Sequence, residues 1–184
     1  MRWQQLFDDL EAQFDAVDHL ELSSDVRDRT RRELALVPLS DRLRANVGAA
    51  VLARLTGGTA VRGRLLDSGP DWMLLGVEAG RELLLASAAL SSLSGLGPRT
   101  LDPAGTDEVA KRLDLRWALR GLARSRTGVT VMLTDGSSAT GTLDRLGADH
   151  LDLAEHPPGE PRRPSSVRAV LTVPLTALAA VQSG

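Results

Sequence analysis

Apolar and polar residues alternate with period two in two separate stretches of this chain, and one stretch is a copy of the other. Val129, Val131 and Leu133 alternate with Thr130, Met132 and Thr134, and the run ends on Asp135-Gly136, a strong hairpin turn. Leu55 to Leu75 (LTGGTAVRGRLLDSGPDWMLL) aligns without a gap onto Leu133 to Leu153 (LTDGSSATGTLDRLGADHLDL). The shared glycines have mechanical roles: Gly58 and Gly136 turn a hairpin, Gly63 and Gly141 interrupt a strand, and Gly69 and Gly147 precede Asp71 and Asp149 at the next turn. The pattern predicts strands near 49–56, 59–68, 71–77, 81–86 and 88–93, and again near 128–134, 137–146, 149–155, 166–173 and 175–182.

Helical spacing occupies the remainder. Trp3, Leu6, Phe7, Leu10, Phe14 and Val17 recur at three- and four-residue steps and make an apolar stripe, backed by an acidic face of Asp8, Asp9, Glu11, Asp15, Asp18 and Glu21. Ser23 or Ser24 can cap a further helical stretch to about Leu36, and Ser40 caps a short helix leading into the first repeat. A helix over about Thr106 to Ser125 precedes the second. The expected organisation is an N-terminal helical segment at 1–38, a small barrel at 39–97, a linker at 98–105, and a helix plus second small barrel at 106–184. A proline-rich insertion at 156–166 forbids regular pairing and forms an arm. The expected fold class is therefore α+β, mainly β: two tandem five-stranded small barrels, each preceded by a helix, plus the N-terminal amphipathic segment.

A short helix followed by five bent strands, with a hydrophobic-x-hydrophobic-x-Leu strand, an Asp-Gly turn and Gly-x-Leu in the next strand, resembles the Sm-like family of SH3-like small barrels. The match is clearest over Val129 to Leu153. The resemblance implies RNA binding and assembly into rings, which tandem copies would build from fewer chains. The family's Asp-Asn base-pocket pair has no counterpart, since the turns read SerGlyProAspTrpMet and LeuGlyAlaAspHisLeu. No base-pocket residue is carried over.

Charge and composition narrow the function. The 184 residues carry 22 basic and 24 acidic side chains, a formal net charge of -2, so bulk charge drives binding to neither nucleic acid nor membrane. No cysteine is present, which removes disulfides, thiolate catalysis and cysteine metal sites. The start MRWQQLFDDL lacks a basic head followed by an apolar run, and no apolar stretch approaches the roughly 20 residues of a membrane span. A cytoplasmic protein without membrane association is expected.

Chemistry is sparse. His19, His150 and His156 do not converge as metal ligands, and they are expected at the surface. Asp67, Asp71, Asp144 and Asp149 sit beside turns, where a carboxylate bonds nearby backbone amides. No acid, base and nucleophile stand out together, and no Walker loop is present, so neither catalysis, a metal nor a cofactor is expected. Arg112, Arg116, Arg120 and Arg124 recur at steps of four on one face of the second helix, and Arg126, Arg162 and Arg163 would extend the patch if the arm folds back. Such a row suits phosphate backbones, although it could equally pair with the acidic N-terminal helix. A second candidate surface is apolar. Trp72 and Leu74 point away from the first barrel's core, where the second repeat has His150 and Asp152, and with Trp3, Phe7, Leu10 and Phe14 they form a candidate partner or oligomer interface.

Two readings follow. One is a non-enzymatic tandem small-barrel protein that regulates RNA or nucleoprotein through the arginine row. The other is a protein-interaction scaffold or oligomeric assembly module without nucleic acid.

Overall fold

The computed structural model describes residues 35–101, 112–159 and 162–183, and the chain divides into two units, Met1–Pro38 and Leu39–Gly184. Trp3, Phe7, Leu10, Phe14 and His19 lie outside the described residues, as does the first part of the helix expected from Thr106.

Leu39–Gly184 is mainly β. Helix α1 (Leu39–Ala45) leads into β1 (Ala50–Leu55), β2 (Ala60–Ser68), β3 (Trp72–Gly76), β4 (Glu82–Ala86) and β5 (Leu90–Ser94). Helix α2 (Leu115–Ser125) leads into β6 (Gly128–Leu133), β7 (Ser138–Leu146), β8 (His150–Glu155), β9 (Ala169–Pro174) and β10 (Leu178–Ser183). The alternation places its residues as expected. Val129 and Val131 are buried while Thr130 and Met132 are partly exposed, and Gly136 turns the hairpin with φ of 89°.

Two separate closed barrels do not form. All ten strands join one antiparallel sheet in the order β5-β1-β2-β3-β4-β10-β6-β7-β8-β9. The correction has a definite cause: β4 pairs with β10, the last strand of the second repeat, with Leu83 opposite Gln182, Leu84 opposite Val181 and Leu85 opposite Ala180. Leu83, Leu84, Leu85 and Ala86 are all buried, so this strand is apolar on both faces and its backbone edge is covered by a neighbour. One hydrophobic core runs through both repeats, from Leu43 and Val51 to Leu153 and Val181.

Each repeat keeps the same internal order, fifth strand beside first, then second, third and fourth. Matching hydrogen bonds mark the equivalence. The amide of Thr56 donates to the Ala89 carbonyl and that of Thr134 to the Ala177 carbonyl, both at 2.9 Å. The Ser87 amide donates to the Asp71 carbonyl at 2.8 Å, and the Leu175 amide to the Asp149 carbonyl at 2.7 Å. The arm between β8 and β9 leaves this register intact.

Candidate functional site

Helix α2 is fixed at its start by its own cap and by the first repeat. Asp114 caps it, its carboxylate accepting from the Trp117 amide at 2.8 Å. The Asp71 carboxylate, from the turn before β3, accepts from the Leu115 amide at 2.7 Å, and the Trp72 indole N–H donates to the Leu113 carbonyl at 2.7 Å. Leu115 and Leu119 are buried in the core. Trp72 is therefore covered within the chain: it is 5% exposed, and α2 lays Trp117, Ala118 and Leu122 beside it, Leu74 and Leu84.

The arginines of α2 separate by environment. Arg120 and Arg124 are exposed, as are Arg112 before the helix and Arg126, which ends it in the left-handed region with φ of 50°. Arg116 is half-buried, and its Nε is shielded from solvent without a hydrogen-bond partner. The arm does not add all its arginines to this row. Arg162 bonds the Asp144 carboxylate on β7 at 2.5 Å, whereas Arg163 is exposed.

The remaining polar candidates act structurally. His156 is buried, not at the surface as expected of the three histidines: one ring nitrogen bonds the Thr142 hydroxyl at 2.8 Å and the other donates to the Pro157 carbonyl at 3.0 Å. Both nitrogens are satisfied, so the ring pins the root of the arm to β7. Of the four turn aspartates only Asp67 bonds the adjacent amide, that of Ser68. Asp71 reaches α2, Asp144 holds Arg162, and Asp149 bonds His150 at 2.9 Å. Among the described residues no group of three metal-ligating side chains converges, and no helix is long and apolar enough to cross a membrane.

The hydrogen bond from His150 holds the Asp149 carboxyl below its ordinary value of 3.8, with the charge of His150 adding to the effect. A depressed carboxylate pKa stabilises the fold above the ordinary value, and that contribution is lost as pH falls through the lowered one. In an NMR titration the Asp149 carboxyl should titrate below 3.8, and replacing His150 with alanine should return it upward. An unshifted midpoint in the native chain would refute the contact.

Among the described residues two sheet edges are without a neighbour: β5 pairs only with β1, and β9 only with β8. These are the same two strand positions that pair at the junction inside the chain, β9 being the second repeat's equivalent of β4 and β5 the first repeat's equivalent of β10. No protein-family model matches this chain, and no curated protein does either.

The backbone of β9 is poised for pairing. Because the Leu175 amide bonds Asp149 and Val173 lies opposite Leu151, Val173 faces β8, and the N–H and C=O of Thr172 face outward. Thr172 is exposed and its hydroxyl donates to Asp152 at 2.7 Å, while Val170 is 58% exposed. Beside the other edge, α1 and β5 enclose a groove of about 310 Å³ between Leu39, Arg42 and Leu90 to Leu96. Aligning the helices on their fully buried leucines, Leu43 and Leu119, puts Leu39 in the place of Leu115. Leu115 is 6% exposed against the neighbouring repeat, whereas Leu39 is 41% exposed.

Proposed function

We propose that this chain is a non-enzymatic assembly module whose copies join head to tail, β9 of one pairing with β5 of the next. The observation that carries the reading is the internal β4–β10 junction, because it is a worked instance of the same contact between equivalent strands. Its register transfers directly. Leu84 opposite Val181 becomes Thr172 opposite Leu93 of the next copy, with Leu171 opposite Ser94 and Val173 opposite Ser92. Pro174, which offers no N–H, falls just outside these three pairs and leaves them intact. The exposed Leu39 and Asp149 then take the places that Leu115 and Asp71 hold at the internal junction. Such an interface is heterologous, so it closes into a ring or continues as a filament according to the rotation per copy. The resemblance to Sm-like proteins agrees with assembly of this kind.

Sedimentation velocity at tens of micromolar tests the reading. The native chain should sediment well above its 19.6 kDa mass. Thr172→Pro, which removes the outward N–H, and Leu93→Pro, which blocks the other edge, should each give single chains. An equimolar mixture of the two should give a two-chain species, since each variant keeps the edge the other needs. Thr172→Val keeps the N–H while losing the Asp152 bond, and it should assemble. A native chain that sediments as one copy overturns the proposal.

The exposed arginines support a second reading, an RNA surface on α2. Arg112, Arg120, Arg124 and Arg126 have no hydrogen-bond or ion-pair partner among the described residues, which suits phosphate contacts. Arg120→Glu with Arg124→Glu should abolish binding of single-stranded RNA measured by fluorescence anisotropy at about 50 mM salt, and native binding should weaken steeply by about 200 mM. Binding indifferent to both changes excludes this surface.

A further inference from the structure

The repeats also differ at a place that neither assembly nor the arginine row uses. Above the β4–β10 seam, between the sheet and α2, lies a cavity of about 240 Å³. Trp72, Leu84 and Val181, all buried, form its floor, and Trp117, half exposed, forms its wall. Asp67 and Glu82, both exposed, stand at its mouth. Among the described residues neither carboxylate has a cationic partner. An indole face beside two unpaired carboxylates is a combination that an apolar ligand does not need and an organic cation does.

We infer that this cavity receives the arginine side chain of a partner polypeptide. A guanidinium stacks flat on an indole while its fork donates to carboxylates, so one group answers both halves of the lining. Size favours a side chain over a free ligand: small-molecule sites span roughly 300–1,000 Å³, and this cavity is smaller. The second repeat serves as an internal contrast. By the register of the strands, Asp67 is replaced there by Arg145, Trp72 by His150 and Glu82 by Val170, so the aromatic floor and the acidic mouth are lost together. The inference is independent of the edge pairing, since every residue that lines this cavity belongs to one copy.

The test uses the full chain and three probes: a short uncharged peptide with one central arginine, the same peptide with citrulline in its place, and free arginine amide. Binding is read by indole fluorescence and by calorimetry. The arginine peptide should bind, and citrulline, which keeps the shape and loses the charge, should weaken it by about tenfold or more. Trp117→Leu, and Asp67→Asn combined with Glu82→Gln, should each weaken the arginine peptide by a similar factor while leaving the melting temperature near native, because all three side chains are substantially exposed. Equal binding of the citrulline peptide would reduce the cavity to an apolar groove and overturn the inference. Free arginine amide binding as tightly as the peptide would overturn the polypeptide partner in favour of a small cation. Absence of binding at millimolar peptide overturns it outright.

Discussion

Trp72→Ala should lower the melting temperature by roughly 10 °C. The side chain is 5% exposed, and removing a large buried aromatic costs about 3–5 kcal/mol, at about 2–4 °C per kcal/mol for a chain of this size. The loss is more than volume, because the Leu113 carbonyl would also lose its indole donor. Trp72→Phe separates the two contributions. It keeps most of the ring and leaves the carbonyl unpaired, so it should cost about 1–3 kcal/mol. Equilibrium unfolding in urea measures both, and a Trp72→Ala chain with native stability would show that α2 does not rest on the first repeat.

Gly141→Ala should also destabilise, and without remedy by repacking. A Cβ at this position would collide with the Ala154 carbonyl on β8, and the obstructing atoms are backbone. The strands would have to separate, at a cost on the order of 1–3 kcal/mol for an overpacked site. Gly63 occupies the same position in the first repeat, where an added Cβ would lie 2.7 Å from the Gly76 carbonyl oxygen, so Gly63→Ala should behave alike. Gly80→Ala, where the new methyl meets nothing, separates crowding from conformation: φ is 70° there, so its cost is conformational alone. If Gly141→Ala melts no lower than Gly80→Ala, close strand approach is not why glycine stands at 141.

What the sequence revealed and what it concealed follow from which signals are local. Turn chemistry and alternation lie within a few residues, so Asp135-Gly136 and the Val129 to Leu133 run placed β6 and β7 directly. Pairing of β4 with β10 is a contact between residues about a hundred positions apart. Leu83 to Ala86, apolar on both faces, carries no alternation that would distinguish closing on its own repeat from joining the other. The cover over Trp72 was equally concealed. The sequence marked that face as too apolar to leave bare, but the residues that face it across the cavity, Trp117, Ala118 and Leu122, lie on the helix read for its arginines. Asp71 and Asp149 read alike in the two turns, yet one accepts from the first amide of α2 and the other bonds a histidine, because only the first has a helix start beside it. The burial of His156 was concealed too, because its partner Thr142 lies on another strand.

The seam between the repeats is narrow, three residue pairs against five in each of the β1–β2 and β6–β7 ladders. On hydrogen exchange the Leu84 and Val181 amides should therefore open together, as a line along which the sheet divides into two independently melting halves. Helix α2 spans that line, tied to the first repeat through Asp71 and Trp72 and packed against β7 of the second. Whether this protein unfolds in one step or two should therefore depend on eleven residues that belong to neither ladder.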